Sequence, residues 1–211
     1  MNLFHGCKPD KKAAPDQGFG YFPLEVGDWI IYDVDSIVYD FGKTVKISHW
    51  ELKEFVESEF LDNSDRLTYR IERYIRPDST GQWTIRDVWY ANRNASAAER
   101  VEENQRYIKL IFPVKSGDSW NGNAYNSLGE MEYTYAQTDA ADMINNIAFD
   151  STVTVIQQDE LNLVETKYIS EQYAKNAGLI KRSYKNFTKN IDGTVNKGVE
   201  YSIVIKSLKT E

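Results

Sequence analysis

The chain is patterned in long runs where apolar and polar side chains alternate with a period of two. In residues 66–76, Leu67, Tyr69, Ile71 and Ile75 fall on one face, while Arg66, Thr68, Arg70, Glu72 and Arg76 fall on the other. Side chains alternate across a strand, so this pattern predicts a strand with one dry and one wet face. Residues 77–81, Pro-Asp-Ser-Thr-Gly, supply turn chemistry. Trp83, Ile85 and Trp89 then resume the alternation, which predicts a hairpin. Residues 28–40 read as an earlier strand with a turn at 41–44, and further β runs follow at 105–114, 130–137, 152–158, 163–173, 179–187 and 198–208. Gly178 suits a tight reversal before the run at 179. Several runs reach ten residues, roughly 33 Å at about 3.3 Å per residue, where an ordinary strand has about five or six. The expected class is mainly β: a large curved antiparallel sheet or unclosed half-barrel with one or two short helices.

Three segments are less one-sided. In residues 50–60, Leu52, Phe55, Val56 and Phe60 fit helical spacing, yet Trp50, Leu52, Val56 and Phe60 share a strand face, and strand is the reading adopted. Residues 96–99, Ser-Ala-Ala-Glu, could form a capping box opening a turn or two of helix. The best helix candidate is residues 139–148, with Asp139 as cap, Asp142 in the first turn and an apolar stripe of Met143, Ile144, Ile147 and Ala148. Such a helix would cover the open face of the sheet.

The pattern begins at Phe19. Before it, residues 8–18 hold two prolines and five charged side chains without apolar periodicity, the make-up of a solvated tether. The expected organisation is therefore a segment 1–18 followed by one β-rich domain, 19–211. With 211 residues, 41% hydrophobic and 27% charged, the chain can bury a substantial core and is not disordered as a whole. Its net charge of −7 lacks the clustered Lys and Arg that a nucleic-acid backbone binder uses. No stretch approaches the ~18 consecutive apolar residues of a membrane-spanning helix.

Cys7 is the single cysteine, which excludes an intramolecular disulfide and a Cys-rich zinc site. Its setting, Leu3-Phe4-His5-Gly6-Cys7, resembles the end of a bacterial lipoprotein signal, with Gly6 in the small position before a cysteine that is acylated after cleavage. The resemblance implies lipid attachment at Cys7. Because the basic and apolar regions of a signal do not stand in residues 1–6, it also implies that Met1 is an internal or misassigned start or that the sequence is truncated.

Few residues point to catalysis. His5 lies in the tether and His49 at a strand edge, neither in a nucleophile motif. Asp33 with Asp35, Glu57 with Glu59, and Glu102 with Glu103 are carboxylate pairs of the kind that solvate an outer face, although a hydrolase needs two across a cleft. Residues 62–65 are a plain turn and lack a calcium-loop pattern. No catalytic residue, metal site or cofactor is assigned. Recognition is more legible: five Trp, 14 Tyr and 9 Phe are available for stacking. The Gly- and Asn-rich residues 116–126 set Trp120 and Tyr125 in polar company with Asn121 and Asn123. Those four are the candidate ligand-binding residues.

Residues 19–29, 109–114 with 120–123, and 171–182 are similar to a group of uncharacterised Bacteroidetes lipoproteins. The resemblance implies an exported, Cys-anchored, β-rich protein of the periplasm or outer membrane and brings no catalytic residues with it. The long strands are also distantly similar in architecture to the unclosed barrels of lipoprotein carriers such as LolA and LolB, which shelter acyl chains. The leading expectation is a non-enzymatic envelope domain, membrane-bound through Cys7, that binds an apolar ligand, lipid or protein partner on its curved sheet. The alternatives are a glycan-binding module using the Trp120/Tyr125 loop and, lowest, a carboxylate hydrolase.

Overall fold

A computed structural model describes residues 15–209; Cys7 and His5 lie outside the described residues. Twelve strands follow in order: β1 (Trp29–Asp40), β2 (Lys43–Leu61), β3 (Leu67–Arg76), β4 (Thr84–Arg93), β5 (Ala97–Glu102), β6 (Gln105–Ile111), β7 (Ser119–Asn121), β8 (Glu132–Ile144), β9 (Ile147–Leu161), β10 (Glu165–Ala174), β11 (Gly178–Lys189) and β12 (Val195–Lys209). They form one antiparallel sheet in the order β6-β5-β4-β3-β2-β1-β12-β11-β10-β9-β8-β7, curled into a nearly closed barrel. The mainly β class, the curvature and the strand reading of residues 50–60 agree with the sequence pattern.

The sheet's two ends, β6 and β7, meet at a seam closed chiefly by side chains. The Ile108 N–H donates to the Gly122 carbonyl at 2.9 Å. The Trp120 indole donates to the Ile108 carbonyl at 2.9 Å, and the Asn126 amide to the Arg106 carbonyl at 2.9 Å. The Tyr135 hydroxyl accepts from Ile111 N and donates to Ile111 O. These contacts satisfy edge groups that an open sheet would leave unpaired.

The N-terminal segment closes one pole. A single 3₁₀ turn, Phe19–Tyr21, is the one helical element among the described residues. Phe19 stacks edge-on against Phe112 at 4.8 Å, and the Arg93 guanidinium donates to the carbonyls of Phe19 and Phe22. Tyr21, Phe22, Leu110, Tyr135 and Tyr173 belong to one buried cluster, while Tyr32, Val34, Leu52, Ile203 and Ile205 belong to a second along the wall.

Both helix expectations need correction. Residues 139–148 are the β8–β9 hairpin, with Met143 facing Ala148 and Ile144 facing Ile147. The reversal is made by Asn145 and Asn146, both at positive φ, a conformation asparagine tolerates and a hairpin turn requires. At 94–97 the Asn94 side-chain oxygen takes the backbone N–H groups of Ser96 and Ala97, so the chain turns and enters β5 instead of starting a helix. In β3 the alternation is as expected from Ile71 onward, but Leu67 is exposed and Thr68 buried. Arg73, in phase with the apolar residues, also points inward.

Candidate functional site

The interior is not uniformly oily. One cavity of about 390 Å³ is lined by Val34 and Ser36 of β1, Trp50 and Leu52 of β2, Arg73 of β3, and Arg182 and Tyr201 from β11 and β12. Only the lumen of a curled sheet can be reached by strands so far apart in the order. Trp89 contributes an aromatic wall, and two guanidiniums lie against its ring, Arg73 at 3.4 Å and Arg100 at 4.7 Å from the centroid. Arg86 and Glu103, both exposed, also line this cavity and mark the side on which it meets solvent.

A second cavity of about 160 Å³ lies beside it and shares Glu102 and Arg182 with the first. It is lined by Tyr107, Lys109, Asn123, Tyr133 and Gln157. A third, apolar cleft beneath Phe22 and Leu24 holds only about 70 Å³.

The lumen charges are matched. Glu54 pairs with Arg73 at 2.9 Å and with Arg100 at 2.5 Å, and Arg73 also meets Asp87 at 2.9 Å. Lys109 holds Glu171 at 2.7 Å and Glu102 at 3.2 Å. Arg182 approaches the same two carboxylates at 3.6 Å. Tyr173 donates to the other oxygen of Glu171 at 2.5 Å. Burial alone would raise the carboxyl pKa values; the charges of Lys109, Arg182 and Arg100 outweigh it at Glu102 and hold that group at about 2. Glu171 and Glu54 are likewise lowered against the cost of burial by their cationic neighbours. Burial would lower the pKa of Arg182, but Glu171 and its neighbours raise it, so the cluster stays charged on both sides.

Local irregularities place several of these groups. A register shift between Ala98 and Glu99 leaves Lys109 of β6 without a cross-strand partner, and one between Ile169 and Ser170 does the same for Gln157 of β9. A third, between Arg73 and Tyr74, leaves out Arg86 of β4. A bulge re-aims the extra side chain, and these three line the lumen cavities.

The candidate residues in the 116–126 loop are distributed between the seam and the surface. Trp120 is half-buried, packs at 4.6 Å from Tyr135, and spends its indole N–H on Ile108. The Asn121 side-chain oxygen accepts from the backbone of Asn123 and Met131. Asn123 is buried, donates to the Gly129 carbonyl and lines the smaller cavity. Tyr125 is exposed. Asp33, Asp35 and His49 gather on the outer face, where His49 Nδ1 lies 2.9 Å from Asp35. Glu57 meets Arg70, and Glu102 and Glu103 diverge, the first buried and the second exposed. Among the described residues, no group of three or more His, Cys, Asp or Glu is placed to hold a metal ion. No helix among them is long and apolar enough to cross a membrane.

No protein-family model matches the chain, and no curated protein matches it. Among solved structures the chain is similar to a Bacteroides fragilis protein provisionally named an exported protein with YmcC-like fold: 14% identity, TM-score 0.49, covering 90% of this chain and 98% of that one. It is also similar to a Parabacteroides distasonis protein provisionally named a lipoprotein: 11% identity, TM-score 0.44, with 90% and 98% covered. Both come from the Bacteroidetes.

Proposed function

We propose that this chain is a non-enzymatic protein of the cell envelope that holds a small amphipathic ligand in the lumen of its barrel, with Cys7 as lipid attachment and residues 8–18 as spacer. The observation that carries the reading is the cavity of about 390 Å³, within the ~300–1,000 Å³ range of small-molecule sites. Val34, Leu52 and Ile203 give it an apolar wall, Trp50, Tyr184 and Tyr201 give flat surfaces, and Arg73 and Arg182 give polar ones. A binding role fits the lumen carboxylates, since Glu54, Glu102 and Glu171 are each committed to a cation and held below their usual pKa. None of them is poised to trade protons near neutrality.

Titration with the neutral fluorescent dye N-phenylnaphthylamine tests the lumen. Saturable binding is expected for the full chain. It should fall at least about tenfold in Ser36→Trp, which projects an indole into the cavity, while the circular dichroism stays unchanged. Absence of saturable binding, or equal binding by that variant, overturns the reading. For the anchor, native protein should pellet with membranes and carry acyl mass, and Cys7→Ala should do neither. Equal solubility and unmodified mass in both would remove the anchor.

A further inference from the structure

Three neighbouring hairpins end in apolar side chains that the barrel leaves in solvent. The β1–β2 turn carries Phe41, the β9–β10 turn Leu163 and Val164, and the β11–β12 turn Ile191, all exposed, with Phe41 84% and Leu163 90% open to solvent. Val45 and Ile47 of β2, also exposed, extend the patch behind Phe41. The turns are joined side by side: the Gly42 N–H donates to the Asn196 carbonyl at 2.8 Å, and the Lys189 N–H to the Val164 carbonyl at 2.7 Å. Turn formation does not call for the apolar residues, since the Asn162 side chain takes the N–H groups of Val164 and Glu165, and Asp192 takes that of Thr194. Phe41 holds φ 49°, a strained region for an aromatic residue, without burying its ring.

The tips stand at the open end of the barrel. Val199 of β12 lines the larger cavity only three residues from Asn196, about 10 Å of strand, and the exposed Arg86 and Glu103 mark the solvent side of the same cavity. The opposite end is the pole closed by the N-terminal segment, where Asp16 meets Lys175 just past β10. Residues 40–47, 159–167 and 189–197 hold five Lys against five Asp and Glu, a neutral surface on a chain of net charge −7. Within them, residues 41–42, 161–164 and 190–191 hold no charge, and behind these apices Lys167 pairs with Glu160 and Glu165, and Lys197 with Asp40. The three segments contain no Arg, Trp or Tyr, the side chains that anchor protein–protein interfaces. A protein partner would have to fix the long Lys stems, whereas at a lipid surface the ammonium stays hydrated among the head groups while the apolar apex sinks below it.

We propose that the three tips are a bilayer-docking surface: Phe41, Leu163, Val164 and Ile191 enter the interface of a phospholipid membrane, Lys43, Lys46, Lys189 and Lys197 remain at its head groups, and the open side of the larger cavity faces it. Burial of apolar surface drives the insertion, because tips of zero net charge gain little from anionic lipid. Docking at this end is independent of acylation at Cys7, which belongs to the segment leading to the other pole, and of ligand binding in the lumen.

Flotation with phosphatidylcholine vesicles tests the docking, using the full chain with Cys7→Ala so that no acyl group contributes. This parent protein should float with the vesicles at low and high salt alike. Phe41→Asn and Leu163→Asn should each weaken partitioning about tenfold, while thermal midpoints no lower than the parent's report that both are folded. Met143→Asn, which removes an exposed apolar side chain from the β8–β9 hairpin at the opposite end, should leave partitioning unchanged. No flotation of the parent, or equal flotation of parent and tip variants, overturns the bilayer assignment. A loss as large in Met143→Asn, flotation abolished by salt, or a concentration-dependent dimer that the tip variants abolish also overturns it, the last assigning the tips to a second copy of the chain. Titration with N-phenylnaphthylamine in the absence of vesicles reads the lumen separately: dye binding that fails while flotation holds strikes the lumen reading alone.

Discussion

Tyr135 holds both backbone groups of Ile111: its hydroxyl lies 2.9 Å from the amide nitrogen it accepts from and 2.7 Å from the carbonyl oxygen it donates to. One phenol on β8 therefore does for Ile111 of β6 what a neighbouring strand would do, beside the contacts of Gly122, Trp120 and Asn126 that close the same seam. Tyr135→Phe removes both bonds and leaves two buried-edge groups unpaired, which should cost about 1–3 kcal/mol. Urea unfolding measures the loss, and hydrogen exchange should quicken at Ile111 ahead of the distal strands. An unchanged midpoint would show that the seam closes without this residue.

Gly198 of β12 has φ of 144°, and a Cβ there would lie 2.2 Å from the Asn186 carbonyl oxygen and 2.4 Å from Phe187 Cα. The obstacle is backbone and cannot rotate away. Gly198→Ala should destabilise the β11–β12 pairing by about 3 kcal/mol or more, seen as a lowered thermal midpoint.

The opposite sign is expected at Phe41. It sits in the β1–β2 turn at φ 49°, 84% exposed, so its ring gains little and its backbone is in the left-handed region. Phe41→Asn should stabilise by about 1 kcal/mol, because asparagine occupies that region more readily. Chemical denaturation of the two proteins side by side checks it.

The lumen pairs make stability depend on acid. Glu102 has a folded pKa of about 2 against an ordinary 4.5, so the folded state binds its proton less readily than the unfolded one. Its contribution is fully present above about pH 4.5 and is lost as pH falls toward about 2. Glu54 and Glu171 shift in the same direction and add to the loss. Thermal midpoints should fall steeply across that window. Glu102→Gln should lower the midpoint at neutral pH and flatten the acid slope. A midpoint independent of pH over the window would contradict the pairing.

The long strands were legible because alternation is a local property of the chain, as Ile71 and Ile75 of β3 illustrate. The 139–148 segment was not, since a stripe of Met143, Ile144, Ile147 and Ala148 satisfies a helix and a hairpin alike, and the Asn145-Asn146 turn decides between them. The lumen charges carried a signal: Glu54 falls in phase with Trp50, Leu52 and Val56, and Arg73 with Ile71 and Ile75, charges on faces otherwise apolar. Lys109 and Gln157 carried none, because a bulge is a property of pairing between distant strands. Trp120 stands in a polar loop that reads as a display surface, whereas its donor is satisfied by Ile108 across a seam that only closure of the barrel creates.

Native mass spectrometry of the full chain, gently released from the cells that produce it, tests the central claim most directly. A small molecule should accompany the wild-type protein as a non-covalent adduct and be absent from Ser36→Trp. Wild-type protein that flies at its own covalent mass alone, or an adduct carried equally by that variant, would contradict a ligand held in the lumen.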